Sequence, residues 1–243
     1  MLILAIDSAT PTASVALAED GRILYEAFVN YKKTHSETLM PMIDRALRVC
    51  EKTLADCSAI AVTVGPGSFT GLRIGLAAVK ALSLTTGIPV VGISTLELLA
   101  HNLTQPGELL VAPLLDARKH EIYSAFYRCG GTEKIPAALS PEWACSPEFF
   151  IEQAQQLLQQ TGHSKIVLLG DGIAPYHDML KKALGDSMAI APAHHLLPRS
   201  AALADLARLH LEKNPSAVLD IRTAKPVYLR LSEAEYRLGK GEL

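Results

Sequence analysis

Two apolar segments of this chain end in aspartate at nearly the same place in two successive halves, and this constrains the fold more than any other feature. Residues 2–7 (LILAID) end at Asp7, and residues 109–117 (LLVAPLLDA) carry Asp116 near their end. Gly65 in VTVGPG and Gly170 in LLGDG follow at matching positions. The aspartates are 109 positions apart and the glycines 105. Near-equal offsets between like elements point to two copies of one unit.

The local signals spell out that unit. Residues 14–18 and 22–30 flank Asp20-Gly21, a strong hairpin signal, so three strands open the chain. Leu39, Met42, Ile43, Ala46, Leu47 and Cys50 recur at helical spacing. Thr34 and Glu37 suit a capping box for that helix (36–50), although Pro41 would remove an internal bond. Residues 59–65 read as a buried strand, 72–86 as a helix closed by Gly87, and 89–93 as another strand. Ser94 to Glu97 is a capping box opening a short helix to Asn102. In the second half, 109–117 and 121–128 are expected strands, with a third after Gly130-Gly131. Ser146-Pro147 opens a helix through Gln160, 165–170 is a strand, 175–184 a helix and 187–191 a strand. A helix over 199–213 stops at Asn214-Pro215.

The result is a βββαβαβ order, twice. It resembles the ribonuclease-H-like unit doubled in actin, sugar kinases and Hsp70 chaperones, and implies a duplicated actin-like α/β fold. The expected first domain is 1–103 plus 197–213, the second 104–196 plus 214–230, with 231–243 as a tail.

Composition narrows the function classes. A hydrophobic fraction of 49% and a charged fraction of 20% exclude a disordered chain. The formal charge is −2, so unaided tight binding to nucleic acid is not expected. No apolar run approaches the roughly 18 to 20 residues of a spanning helix. The opening MLILAIDSAT lacks a basic stretch, so no signal peptide is expected and the cytoplasm is the expected compartment. Cys50, Cys57, Cys129 and Cys145 form no CxxC pair and read as reduced.

GPGSFTG (65–71) is not a Walker loop, because no lysine follows its last glycine. It also misses the dinucleotide pattern, with Gly71 one place late. It reads as a tight turn whose glycines let the next helix lie close to something. That helix is apolar on two faces, one with Leu72, Leu76 and Val79, the other with Ile74, Ala77, Ala78 and Ala81. One face is expected on its own sheet and the other on a partner chain. The expected partner surface is Gly71, Leu72, Gly75, Leu76 and Val79, joined by Leu39, Met42, Ile43, Ala46 and Leu47. No HExxH or other paired-ligand spacing is present, so no metal is expected. Ser8 and Ser68 lack a GxSxG elbow and an assignable base.

Five segments in this order, AIDSATPTASVAL (5–17), GPGSFTGLRIG (65–75), ISTLE (93–97), DARKHEIY (116–123) and PVYLR (226–230), closely resemble the bacterial TsaB (YeaZ) family. The resemblance covers the chain to about Arg230. It implies a non-catalytic, dimerising and activating subunit of the machinery that forms N6-threonylcarbamoyladenosine at position 37 of tRNA. The implied partners are the catalytic paralogue TsaD and the ATPase TsaE, with a homodimer when the chain is isolated and tRNA met only through the complex. ATP would be used by the complex and no cofactor required by this chain. In the actin-like class an acidic residue at each hairpin lies near nucleotide phosphates and magnesium, so Asp7, Ser8, Thr10 and Asp116 mark a vestigial nucleotide site. Ala9 and Pro11 stand where that class has Gly-Thr, so amides that would wrap a phosphate are lost. No catalytic residue is expected. The rivals are a small-molecule kinase of the same fold and a peptidase.

Overall fold

The structure, a computed structural model, describes residues 1–31, 33–104 and 106–230. The expected tail, 231–243, lies outside the described residues.

The first unit runs β1 (Leu2–Asp7), β2 (Ala13–Glu19), β3 (Arg22–Val29), α1 (His35–Val49), β4 (Ala59–Gly65), α2 (Phe69–Thr86), β5 (Val90–Ser94). Its sheet has the order β3-β2-β1-β4-β5. The meander β1 to β3 is antiparallel, and β4 and β5 add in parallel through helical crossovers. After α3 (Thr95–His101), the second unit begins with β6 (Leu109–Arg118), β7 (Glu121–Ser124), β8 (Tyr127–Gly130), β9 (Glu133–Ala138) and β10 (Trp143–Cys145). It continues with α4 (Pro147–Thr161), β11 (Ile166–Leu169), α5 (His177–Leu184), β12 (Met188–Ile190) and α6 (Ser200–Lys213). The path β10-β7-β6-β11-β12 repeats the first sheet's order, with β8 and β9 added beside β6. The molecule is therefore a duplicated actin-like α/β fold.

Each sheet is covered on both faces, which explains its apolar sequence. Leu4, Ile6, Val15, Leu17, Ile60 and Val62 face α1 and α2. The opposite face is built from Ala5, Ala16, Ala59 and Ala61, whose small side chains let α6 pack closely through Leu203, Ala204, Leu206 and Ala207. In the second unit α4 and α5 cover one face and α3 the other. α3 follows the first unit and sits between the two sheets, with Leu98 on the first and Leu96, Leu99 and Ala100 on the second, while α6 follows the second unit and packs on the first.

Two expectations are corrected and one is met. The single strand at 121–128 is two, because β7 and β8 pair with different stretches of β6 and the chain breaks at Ala125-Phe126. The helix capped at Thr34 runs through Pro41, as expected. The exposed Pro41 ring sits inside the helix, and the Glu37 carboxylate accepts from the Thr34 amide at 3.1 Å to fix the start. Residues 214–230, expected with the second unit, run along the first, and only their end returns to the second, where Arg230 pairs with Glu121 at 2.9 Å and donates to the Ala117 carbonyl. The Leu219 amide donates to Val90 O at 2.8 Å and the Val227 amide to Val64 O at 2.7 Å. Leu219, Ile221 and Ala224 pack on the core beneath α1 and α2.

Candidate functional site

β1 delivers Asp7 to the face shared with α6, and the side chain is fully buried. Thr63 Oγ1 donates to Asp7 Oδ1 at 2.7 Å, and the Ala9 amide adds a longer bond at 3.2 Å. Oδ2 has no partner. Burial pushes the carboxyl up to about 6, against the opposing pull of the Thr63 hydroxyl and the Ala9 and Ser8 amides.

The loop after Asp7 is pressed against the start of α2. Ser8 Oγ donates to Gly71 O at 2.9 Å, and the Ser68 amide donates to Ala9 O at 2.6 Å. His35 Nε2 lies 2.9 Å from Thr10 O. A Cβ at Gly71 would sit 2.1 Å from Ser8 O, and one at Gly75 would sit 2.3 Å from Ser8 Oγ. The close approach these glycines allow is to the chain's own loop. Ser8 and Ser68 both have their hydroxyls on backbone groups, the latter capping α2 through the Gly71 amide. Neither hydroxyl is bonded to an imidazole among the described residues.

Asp116 occupies the equivalent position in the second unit and behaves differently. It lines a cleft of about 360 Å³ between the two units, with Thr10, Pro11 and Phe69 on one wall and Arg118, Tyr123 and Asp171 on the other. The Asp116 amide donates to Asp171 Oδ1 at 3.1 Å, and Asp116 Oδ1 accepts from the Arg118 amide at 2.8 Å. Burial holds the Asp171 carboxyl above the usual range despite that bond. Arg118, Lys119 and His120 turn the β6–β7 tip in three consecutive left-handed conformations, at φ 63°, 53° and 60°.

Of the four expected nucleotide-site residues, Thr10 and Asp116 reach this cleft. Asp7 and Ser8 are sealed beneath it. Asp171 was missed, although GDG at 170–172 mirrors GPG at 65–67 and could have flagged it. Phe69, Arg73 and Tyr228 were also missed as a group. The two rings stack with centroids 4.9 Å apart, and Arg73 Nε donates to the Tyr228 hydroxyl at 2.9 Å. This joins two of the most characteristic sequence motifs. Among the described residues no group of three His, Cys, Asp or Glu is placed to hold a metal ion, and no helix is long and apolar enough to cross a membrane.

The expected partner surface is corrected residue by residue. Leu39, Met42, Ile43, Ala46, Gly71, Leu72, Gly75, Leu76 and Val79 are buried within the chain, and Leu47 is half-buried. The larger side chains of both helices fill the first unit's core. The face that α2 leaves outward carries Ala77, Ala81 and Leu84, the last 59% exposed, while Ile74, Ala78 and Leu82 are half-buried against the first unit's core. The two-faced reading of α2 fits this arrangement, but the faces were assigned the wrong way round.

The family described as tRNA N6-adenosine threonylcarbamoyltransferase, TsaD, matches residues 23–238. The chain is 31% identical to the tRNA threonylcarbamoyladenosine biosynthesis protein TsaB of Bacillus subtilis, over 97% of this chain and 96% of that one. Among solved structures, a Pseudomonas aeruginosa protein described as similar to peptidase YeaZ superposes with a TM-score of 0.77 at 27% identity. It covers 94% of this chain and 99% of its own length. A Thermus thermophilus ROK hexokinase, 17% identical, aligns at a TM-score of 0.50 over 87% of this chain and all of its own, and shows the shared fold alone. The motifs, the duplicated fold and the full-length likeness agree, and the chain belongs to the TsaB (YeaZ) family of tRNA threonylcarbamoyladenosine biosynthesis proteins.

Proposed function

We propose that this chain is a non-catalytic, activating subunit for threonylcarbamoyladenosine formation on tRNA. Its partners are the paralogous transferase TsaD, which carries the transfer, and the ATPase TsaE. ATP and tRNA are engaged by the complex, in the cytoplasm, and the isolated chain pairs with itself. The observation that carries this reading is the sealed Asp7 site. The Asp7 carboxyl has no solvent access, beneath a loop bonded to α2, so it cannot reach a phosphate or its metal ion in the cleft above the first hairpin.

What the surface offers instead is a contact. Ala77, Ala81 and Leu84 recur at helical spacing on the outward side of α2, and the small residues there let a second helix approach closely. Activation through such a contact requires that the partner's active state bind this face more tightly than its inactive state.

The test is a reconstituted modification assay run beside a binding measurement. Ala81→Glu puts a charge on the outward face without touching the core. It is expected to leave thermal stability unchanged and to weaken complex formation and modification together by about tenfold or more, equivalent to at least ~1.4 kcal/mol. Asp116→Asn should leave both near the unmodified level. Loss of modification in Asp116→Asn, with fold and complex intact, would mean that this chain supplies chemistry.

A further inference from the structure

A second cavity, of about 470 Å³, lies away from the cleft. Its size is at the lower end of small-molecule sites, roughly 300–1,000 Å³. Both units build it. β3 contributes Glu26, the end of α3 His101 and Asn102, β9 Lys134, the segment before α6 His194, His195 and Arg199, and α6 itself Asp205.

The charges in it are not balanced at its surface. Both carboxylates are already engaged. Glu26 Oε1 accepts from Arg199 Nε and from the Ala201 amide, each at 3.1 Å. Asp205 Oδ2 faces His101 Nε2 at 3.1 Å, and Oδ1 accepts from Arg208 at 2.7 Å. The His101 ring is in turn held at Nδ1, 3.3 Å from the Thr104 hydroxyl, so neither of its nitrogens is left for a ligand. By contrast the exposed Lys134 ammonium has no partner among the described residues. The imidazoles of His194 and His195 contact each other, ring centroids 4.2 Å apart, and donate to no carboxylate. Their segment is fixed from below, where Asn102 Nδ2 donates to His195 O and Leu197 O, each at 3.1 Å.

We propose that this cavity binds a phosphate-bearing group through Lys134, His194, His195 and the outer N–H groups of Arg199. Engaged acids, one free ammonium and imidazole donors on a fixed segment favour an anion over a cation. Charge-assisted bonds from several donors suit a phosphate better than a single carboxylate. The ligand is a phosphate monoester on a small molecule or a diester of an RNA backbone, and the two share the same chemistry at the site. Because the donors come from β9 and from the segment before α6, an occupant also ties β9 to α6.

The site has a built-in pH dependence. Burial, the adjacent His194 and the Arg199 guanidinium hold the His195 imidazole below the ordinary histidine range. An anion beside it favours the imidazolium, so binding takes up a proton and strengthens as pH falls. Glu26 and Asp205 also face the cavity; the His101 and Arg208 bonds hold the Asp205 carboxyl down to about 2, so it opposes an anion equally across this range.

The experiment is proton NMR of the histidine C2 resonances in the full chain, assigned with His194→Gln and His195→Gln. The probes are inorganic phosphate, AMP, and an RNA oligonucleotide lacking terminal phosphates. Saturable shifts at His194 and His195 are expected. Affinity for each ionised form of the probe, after allowance for the second ionisation of phosphate and AMP at about pH 6–7, should fall about tenfold or more between about pH 6 and pH 8. Lys134→Gln, an exposed change checked by an unaltered melting temperature, should weaken binding about tenfold. Saturation by phosphate and AMP assigns a small-molecule monoester, and saturation by the oligonucleotide alone assigns an RNA backbone. No saturable shift with any probe, or binding indifferent to both pH and Lys134→Gln, would overturn the site.

Discussion

The two hairpins that end in Asp7 and Asp116 share a backbone and not a chemistry. Gly65 and Gly170 hold φ values of 118° and 112° at matching strand ends, so the duplication survives in detail. Yet Asp7 is fully buried while the Asp116 side chain is 17% exposed in a cleft. The difference lies in the helix that follows. α2 starts four residues after Gly65 and lands on the Asp7 loop through Gly71 and Gly75. α5 starts seven residues after Gly170, behind a short turn at 174–176, and leaves Asp171 and Asp116 facing open space. A repeated fold therefore fixes where a carboxylate stands, and its covering decides what that carboxylate can do.

The contrast can be broken most forcefully at Gly71. A Cβ there meets backbone that cannot swing away, so Gly71→Val should destabilise by about 3 kcal/mol or more, read as a lower urea midpoint at unchanged slope. Wild-type stability in this variant would mean that the loop and α2 are not closely packed. Next in size is a pH effect. With the Asp7 carboxyl pushed up to about 6, the native state holds a proton that the unfolded chain releases near its ordinary value of 3.8. Stability contributed by the neutral form is present below that window and is lost as pH rises through it, by ~2–3 kcal/mol in total. Burial raises Asp171 in the same direction, so the wild type alone does not separate the two. Asp7→Asn should abolish most of the decline in unfolding free energy between about pH 4 and 6, and Asp116→Asn should leave it in place.

Much of this was legible in the chain itself. Asp20-Gly21, the Ser94 cap, Ser146-Pro147 and the twin offsets all report local chemistry, and local chemistry sets element order. Asp116 was found because a strand end repeats. The sealing of Asp7 was not legible, because it depends on how far α2 slides along the loop, a tertiary distance that no periodicity records. The face assignment on α2 failed for a related reason. Leu72, Leu76 and Val79 and their alanine-rich counterpart are both apolar, and only packing volume decides which fills the core. Residues 214–230 lack a periodic signal altogether. They meet β5 at Val90 and β4 at Val64, one backbone bond each, and backbone bonds leave no mark on residue choice.

That strap allows the finest test of the asymmetry, because the first unit has it and the second has no counterpart among the described residues. Tyr228 fastens it. Its ring stacks on Phe69, Arg73 Nε donates to its hydroxyl at 2.9 Å, and the Arg73 guanidinium lies 3.7 Å from the Phe69 ring centroid. Both rings are partly exposed, so global stability should barely move. Tyr228→Phe keeps the stack and removes one hydrogen bond, worth about 0.5–1 kcal/mol to the strap alone. Tyr228→Ala removes the stack as well, a further ~0.5–1.5 kcal/mol. The amide that reports this is Val227, bonded to Val64 O. Its native-state hydrogen exchange should quicken about two- to fivefold in Tyr228→Phe and more in Tyr228→Ala, as expected of local opening. Amides of β6 and β7 beside Asp116 should keep their rates. Unchanged exchange at Val227 in both variants would show that backbone pairing holds the strap unaided. Faster exchange at β6 and β7 would show that the two hairpins open together and are less separate than their burial implies.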